Sequence, residues 1–181
     1  SSQQKTVSKK SFDDGFLDFY THVYPLLEKW KIPATLFITT QFVDEYIPCI
    51  FSKKPEKRIE PVTWKMAAEM NDSGLVTIGS HTHSHEELKG ISKEKIINEL
   101  EKSKNIIKER LGITVKHLSY PRGKWDSKSE LMVKQYCETA VIGGCSKCEP
   151  DLFDPYRILR IPICKSDGWY FFLAKVKGLM V

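Results

Sequence analysis

The clearest periodic signal in the chain lies over residues 93 to 111, where Ile96, Leu100, Ile107 and Leu111 fall on one face of a 3.6-residue repeat. Ser92 stands before this stretch and Gly112 after it, so the spacing predicts a helix capped at both ends. The same period runs from Asp18 to Lys31 through Phe19, Val23, Leu26, Leu27 and Trp30. Pro25 falls inside it and, having no N–H, bends the helix or marks a restart. Short β-branched or apolar runs at Ala34 to Thr39, Leu75 to Ile78, Val115 to Tyr120, Thr139 to Ile142 and Ile158 to Ile163 have the length and composition of buried strands. Val7 to Phe12 also reads as a strand, although Ser8, Lys9 and Lys10 make it polar for the start of a buried sheet.

Three more helices follow from end signals. Thr63 caps one running to about Ser73, which Gly74 closes. Ser127 with Glu130 forms a capping-box pattern for one running to about Glu138. A last amphipathic helix begins near Asp167 and carries Trp169, Phe172, Leu173 and Val176. Residues 41 to 62 hold Pro48, Pro55 and Pro61 with the basic pairs Lys53-Lys54 and Lys57-Arg58, and read as an irregular excursion, a lid or rim loop.

Strand and helix thus alternate along nearly the whole chain, which predicts an α/β fold with a mainly parallel sheet, open or closed into a barrel. Ligands in such folds gather at the C-terminal ends of the strands. Asp13-Asp14, the run His81 to His85, and Ser119-Tyr-Pro-Arg-Gly123 all fall at those ends. A length of 181 residues suits a single domain with its own core.

Composition narrows the partners. The net charge of +5 arises from 28 basic against 23 acidic residues, interleaved as in Lys93-Glu94-Lys95 and Lys108-Glu109-Arg110. That is the pattern of solvated helix faces, and it argues against nucleic acid as a partner. The odd count of five cysteines favours free thiols over a disulfide scaffold. Cys145-Ser-Lys-Cys148 has the spacing of half a zinc knuckle or a redox pair, but no second ligand pair lies near, so it reads as two thiols in a loop. No apolar run reaches the ~20 residues that span a bilayer, and Ser1 to Thr6 contains no hydrophobic signal core. The compartment stays open: cell envelope or extracellular with a signal removed, or cytoplasmic given the free cysteines.

The chemistry concentrates in two motifs. Asp13-Asp14-Gly15 follows a strand, and Gly15 permits the sharp turn that would bring two otherwise divergent carboxylates toward one point. By itself such a motif is more commonly an Asx turn. Its partner is Gly79-Ser-His81-Thr-His83-Ser-His85, which gathers three of the five histidines within five residues and points to a metal. His81 and His85 share a face if the backbone turns helically, His81 and His83 if it stays extended. Two imidazoles and a carboxylate leave coordination positions open, as a catalytic zinc-type site requires.

Ser11-Phe-Asp-Asp-Gly15, Gly79-Ser-His-Thr-His-Ser-His85 and Ser119-Tyr-Pro-Arg-Gly123, in that order, resemble the three motifs of the polysaccharide deacetylases of the NodB-homology type, carbohydrate esterase family 4. Tyr24 to Ile38 is similar to the family's helix-to-strand connection, and the resemblance covers roughly residues 11 to 164. It implies a distorted (β/α) barrel, a single deacetylase domain over residues 1 to 181 lacking an N-terminal portion, and removal of N-acetyl groups from an amino-sugar polymer or glycoconjugate. The resemblance further implies a divalent metal, zinc above others, on Asp14, His81 and His85. Asp13 would be the general base, Arg122 an oxyanion donor through its backbone N–H, and Tyr120, Pro121 and Trp125 the shape and lining of the sugar groove. His83 would stand aside.

Three departures from the family pattern carry expectations of their own. Ser119 stands where many members have an arginine that orients the catalytic aspartate, and Arg160, in Arg157-Ile-Leu-Arg-Ile-Pro-Ile163, is the substitute expected here. No late Leu-x-His motif supplies a general acid; a subset resembling the poly-N-acetylglucosamine deacetylases carries that histidine upstream of Asp-Asp-Gly. Lys9-Lys10 replaces the usual apolar strand before the first motif. The alternative reading is a carbohydrate-binding relative that keeps the metal site with little or no catalysis. An extended His81/His83 amidohydrolase-type pair is weaker, since only His22 and His117 remain as further histidine ligands.

Overall fold

The structure, a computed structural model, describes residues 10–45, 59–143 and 154–177. Within them β1 (Lys10–Phe12), β2 (Ala34–Ile38), β3 (Val76–Ser80), β4 (His117–Ser119), β5 (Thr139–Ile142) and β6 (Ile158–Leu159) form a six-stranded sheet in the order of the chain. Each adjacent pair is parallel, with Lys10 against Ala34, Ala34 against Val76, Ser80 against Leu118, His117 against Thr139 and Val141 against Ile158. Helices α1 (Tyr24–Trp30), α2 (Thr40–Glu45), α3 (Trp64–Asp72), α4 (Lys93–Leu111) and α5 (Ser127–Tyr136) make the crossovers, and α6 (Gly168–Val176) follows the last strand. Right-handed crossovers that always add the next strand on the same side keep their helices on one face and let the sheet curl toward a barrel. The curl is visible in the side chains: Arg160, just past β6, reaches Asp13, just past β1, across 147 positions of sequence.

The core has two centres. Phe19, Leu27, Leu36, Ile38, Ala67, Met70, Val76 and Ile78 pack under α1 and α3. Leu88, Ile96, Leu100, Leu118, Tyr120, Met132, Val133 and Ala140 pack under α4 and α5. α4 serves both, sending Ile107 to the first and Ile96 and Leu100 to the second. Its ends are those that the sequence signals: Ser92 accepts from Lys95 N–H, and Gly112 takes a left-handed φ of 69°.

Several expectations change. Pro25 restarts the helix: a single π-turn over Phe19–Val23 hands over to α1 with the proline in its first turn. The supposed excursion begins as a helix, since α2 occupies Thr40–Glu45 and buries Phe42 and Val43. Its far end returns to the site, with Val62 N–H on Gly15 C=O at 2.9 Å and Leu17 N–H on Glu60 C=O at 2.8 Å. Asp126, not Ser127, caps α5, in a reciprocal box with Ser129, and Glu130 is instead buried against Lys134 and Arg157. β6 keeps only two of the six expected residues because the chain peels away at Arg160, and Pro162 has no N–H to continue a ladder. α6 forms where expected, but none of its residues is buried, Trp169 and Tyr170 included. The Cys145–Cys148 pair, residues 7 to 9 of the first strand and residues 46–58 of the excursion lie outside the described residues.

Candidate metal centre and active site

β1 ends in a turn that local chemistry makes unusual. Asp14 has φ 74° and Gly15 φ 86°, and Gly15 N–H closes a three-residue turn onto Asp13 C=O at 3.0 Å. Positive φ is tolerated by glycine and, among the rest, best by Asp and Asn. The two carboxylates, which would diverge on a strand, now face the same space at the end of β1.

At the end of the second neighbouring strand, β3, His81 is 2% exposed and shares a hydrogen bond between its Nδ1 and Ser119 C=O at 2.8 Å. A carbonyl only accepts, so the proton sits on Nδ1 and Nε2 presents a bare lone pair. That Nε2 lies 3.5 Å from Asp14 Oδ1, and His85 Nε2 lies 3.4 Å from the same oxygen. Burial pushes both imidazoles below their ordinary range, His85 to about 4 with further help from His81 and Arg122. They are therefore neutral at pH 7, and these short approaches are not ion pairs. Burial, and after it the charge of Asp13, push Asp14 up to about 7. Asp14 Oδ1 is buried without a hydrogen-bond partner. One carboxylate oxygen and two ring nitrogens, all within 4.8 Å of one another, fit a single cation. His83 is not among the grouped atoms, and its Nδ1 lies 3.0 Å from Thr40 Oγ1. His81 and His85 converge, but neither by a helical turn nor by an extended strand: the 81–85 segment is an irregular loop with left-handed φ at Thr82 (67°) and His85 (62°).

Asp13 stands beside this group, its carboxylate 4.0 Å from His81 Nε2 and 28% exposed. Arg160 grips it with both prongs, Nη1 to Oδ1 at 2.7 Å and Nη2 to Oδ2 at 2.6 Å. The guanidinium is itself steadied by Ser119 Oγ at 2.9 Å and Ser11 Oγ at 3.2 Å. Burial alone would raise the Asp13 carboxyl, but the Arg160 hydrogen bonds and the neighbouring charges outweigh it and hold the group below the usual carboxylate range. Arg160 thus meets Asp13 directly, and Ser119 serves twice, its hydroxyl on Arg160 and its carbonyl on His81. Ser119 lay within the third motif, but nothing in the sequence indicated that it joins the two halves of the site.

The third motif forms a short 3₁₀ turn in which Arg122 has φ 53°. Its hydrogen bonds, Gly123 N–H to Tyr120 C=O and Lys124 N–H to Pro121 C=O, do not use the Arg122 N–H. The Arg122 side chain approaches Glu87 at 3.5 Å, and with His85, Glu86, Glu87, Lys89 and Ile91 it lines an open cavity of about 390 Å³ beside the metal group. The expected groove residues lie elsewhere. Tyr120 is 0% exposed in the second core, Pro121 is buried, and Trp125 is half-buried with Arg157 over its ring at 5.0 Å. A tyrosine at the end of a central strand points into the packed layer, and so Tyr120 anchors the loop from beneath. Glu86, Glu87, Lys89 and Ile91, none of them marked by a sequence motif, line the cavity in their place.

The sequence profile described as Polysaccharide deacetylase matches residues 2–141. The chain belongs to the polysaccharide deacetylase family. Among its relatives is the poly-beta-1,6-N-acetyl-D-glucosamine N-deacetylase of Staphylococcus aureus, 29% identical over 133 residues. That match takes in 69% of this chain and 43% of the relative, so the chain spans less than half the relative's length. Two solved structures share the fold: the Streptococcus pyogenes deacetylase PplD in complex with acetate, at TM-score 0.73 and 22% identity over 91% of this chain and 68% of that one, and IcaB from Ammonifex degensii, at TM-score 0.73 and 21% identity over 92% and 71%. They place the six-stranded parallel sheet among the deacetylase barrels.

Proposed function

We propose that this polysaccharide deacetylase domain is a metal-dependent hydrolase that removes N-acetyl groups from an amino-sugar polymer. The observation that carries the reading is the pairing of an ionised, arginine-clasped Asp13 with the three-ligand group of Asp14, His81 and His85 beside it. Two nitrogen donors and one oxygen donor suit zinc best among divalent ions. When bound, the cation would supply a Lewis acid for the amide carbonyl and lower the pKa of water at the site.

The chain's own residues then have separable tasks. Asp13, ionised and reachable by solvent, accepts the proton of the attacking water, and Arg160 keeps its two oxygens in one orientation. The Arg122 N–H is the donor left over by its turn and serves the oxygen on which charge develops, a contribution on the order of 3 kcal/mol. Protonated Asp13 can then return the proton to the departing amine nitrogen, so acetate and a free amine result. His81 and His85, held neutral by burial, keep their lone pairs for the cation.

The substrate class rests on the named activity of the Staphylococcus aureus relative, and the polymer is accordingly an N-acetylglucosamine polymer. The deciding experiment measures acetate released from oligomers of β-1,6-linked N-acetylglucosamine, chitin and peptidoglycan by the zinc-loaded protein. Release from the β-1,6-linked oligomer above the others supports the reading. Stoichiometric zinc with no release from any of them would replace it with sugar binding alone.

A further inference from the structure

The loop between the two metal-ligating histidines is held in an unfavourable backbone. Thr82 and His85 both have left-handed φ, and for a β-branched threonine that is a true outlier. Such conformations persist only where the surroundings over-determine them. On one side the restraint comes from α2: Thr40 N–H meets Thr82 C=O at 3.4 Å, Gln41 N–H meets His83 C=O at 2.9 Å, and Thr40 Oγ1 holds the His83 ring. On the other side it comes from one carboxylate in the first half of α4. Glu99 Oε2 accepts from His83 N–H at 2.9 Å and Ser84 N–H at 2.8 Å, while Oε1 accepts from the Ser84 hydroxyl at 2.8 Å.

Glu99 is 7% exposed, a burial at which a carboxylate costs stability unless its lone pairs are met. They are met by two successive backbone N–H groups and a hydroxyl, an anion in a backbone nest. Its neighbours on the buried face of α4, Ile96, Leu100, Ser103 and Ile107, do ordinary packing or pair with the sheet, as Ser103 does with Ser80 at 2.7 Å. An acid at this point in an otherwise small or apolar stripe is explained by the loop above it and by nothing in the helix.

We propose that Glu99 is a positioning residue of the metal centre, fixing the 82–85 turn so that His85 Nε2 faces Asp14 Oδ1. The inference rests on the metal reading above and adds a residue from a separate element to it. Without the clasp the loop is held from α2 alone, on one side, and His85 swings while His81, held independently by Ser119, stays.

The test uses cobalt(II) in place of zinc, because its visible spectrum reports ligand geometry, together with competition against a chelator for affinity. Glu99→Ala should weaken metal binding roughly 10- to 100-fold, the range typical of residues that orient ligands, and should alter the cobalt spectrum. Glu99→Gln should restore most of both, since its amide oxygen accepts the two N–H groups and its amide nitrogen donates to Ser84 Oγ. Glu130→Ala on α5, removing an acid of equal burial (8%) outside the site, should lower the melting temperature and leave affinity and spectrum unchanged. Wild-type affinity and spectrum in Glu99→Ala would overturn the proposal and leave Glu99 a fold residue. If Glu99→Ala does not fold, Glu99→Asp, which withdraws the carboxylate by one methylene, takes its place with the same two readings. A wild-type chain that takes up no cobalt fails earlier, at the metal centre itself.

Discussion

Asp14 and Asp13 are neighbours with the same side chain and opposite electrostatics. Asp14, buried with one oxygen unpartnered and a negative neighbour, is pushed up to about 7, while Asp13, clasped by a guanidinium, is held low. The proposed ligand and the proposed base are thereby separated by environment alone, one without positive charge beside it and the other already supplied with it. Zinc content measured on purified protein should fall sharply in His81→Ala and His85→Ala and far less in His83→Ala, which removes one restraint on the turn but no grouped ligand atom; equal loss in all three would undo the ligand assignment. Asp13→Asn should keep its zinc and lose acetate release by about 10²- to 10⁴-fold, the usual worth of a positioned base. Undiminished release would remove Asp13 from that role. At this scale much of the site was legible, because Asp-Asp-Gly and the His-x-x-x-His spacing carry ligands and turn in one short string. Spacing alone left His83 and His85 open and the family resemblance chose His85; the turn that brings it round depends on φ at Thr82 and His85, restrained by Thr40, Gln41 and Glu99 from elsewhere in the chain.

Elements deliver these residues with little room to spare. Gly79, two residues before His81 in β3, has no space for a methyl: a Cβ there would meet the Phe37 ring at 2.5 and 2.7 Å and His117 C=O at 3.1 Å. Gly79→Ala should cost roughly 1 to 3 kcal/mol in urea unfolding, the range for overpacked sites, and should also weaken zinc, because β3 cannot shift without moving His81. A variant of wild-type stability and zinc affinity would show that Phe37 yields freely. Gly123 presses on Gly143, where its Cβ would sit 2.6 Å from the carbonyl oxygen at a φ of 66°, so the 120–123 loop is seated by backbone contact just past the end of β5. α4 was readable to the residue since its caps and its stripe agree. α6 shows the opposite case: its aromatic positions predict burial, yet every one stays exposed, because periodicity states that a helix has an apolar face and not what lies opposite.

Across the whole molecule the decisive contact is Arg160 to Asp13, joining the end of the last described strand to the end of the first. Arg160→Lys keeps the charge but gives up the two-pronged grip and the simultaneous bonds to Ser119 and Ser11, so it should lower acetate release by roughly tenfold or more with zinc content retained. Release equal to wild type would show that charge alone orients Asp13. Zinc should also stabilise the fold by mass action, about 2.7 kcal/mol at a hundredfold excess over its Kd. Thermal melts with chelator and with added zinc check this, and identical midpoints would speak against a site that forms on folding.

The sequence by itself determined the alternation of strands and helices, the turn residues, the capped α4 and the ligand-bearing motifs at strand ends, because each is local: periodicity, a glycine, or a spacing of a few residues suffices. Only the tertiary structure decided which side chains meet. Ser119 reaches both His81 and Arg160, Glu99 lies beneath the histidine loop, Tyr120 turns into the core instead of the groove, and Arg160 closes on Asp13. Those facts depend on the curl of a parallel sheet and on which face each helix covers, properties that no stretch of the chain contains alone.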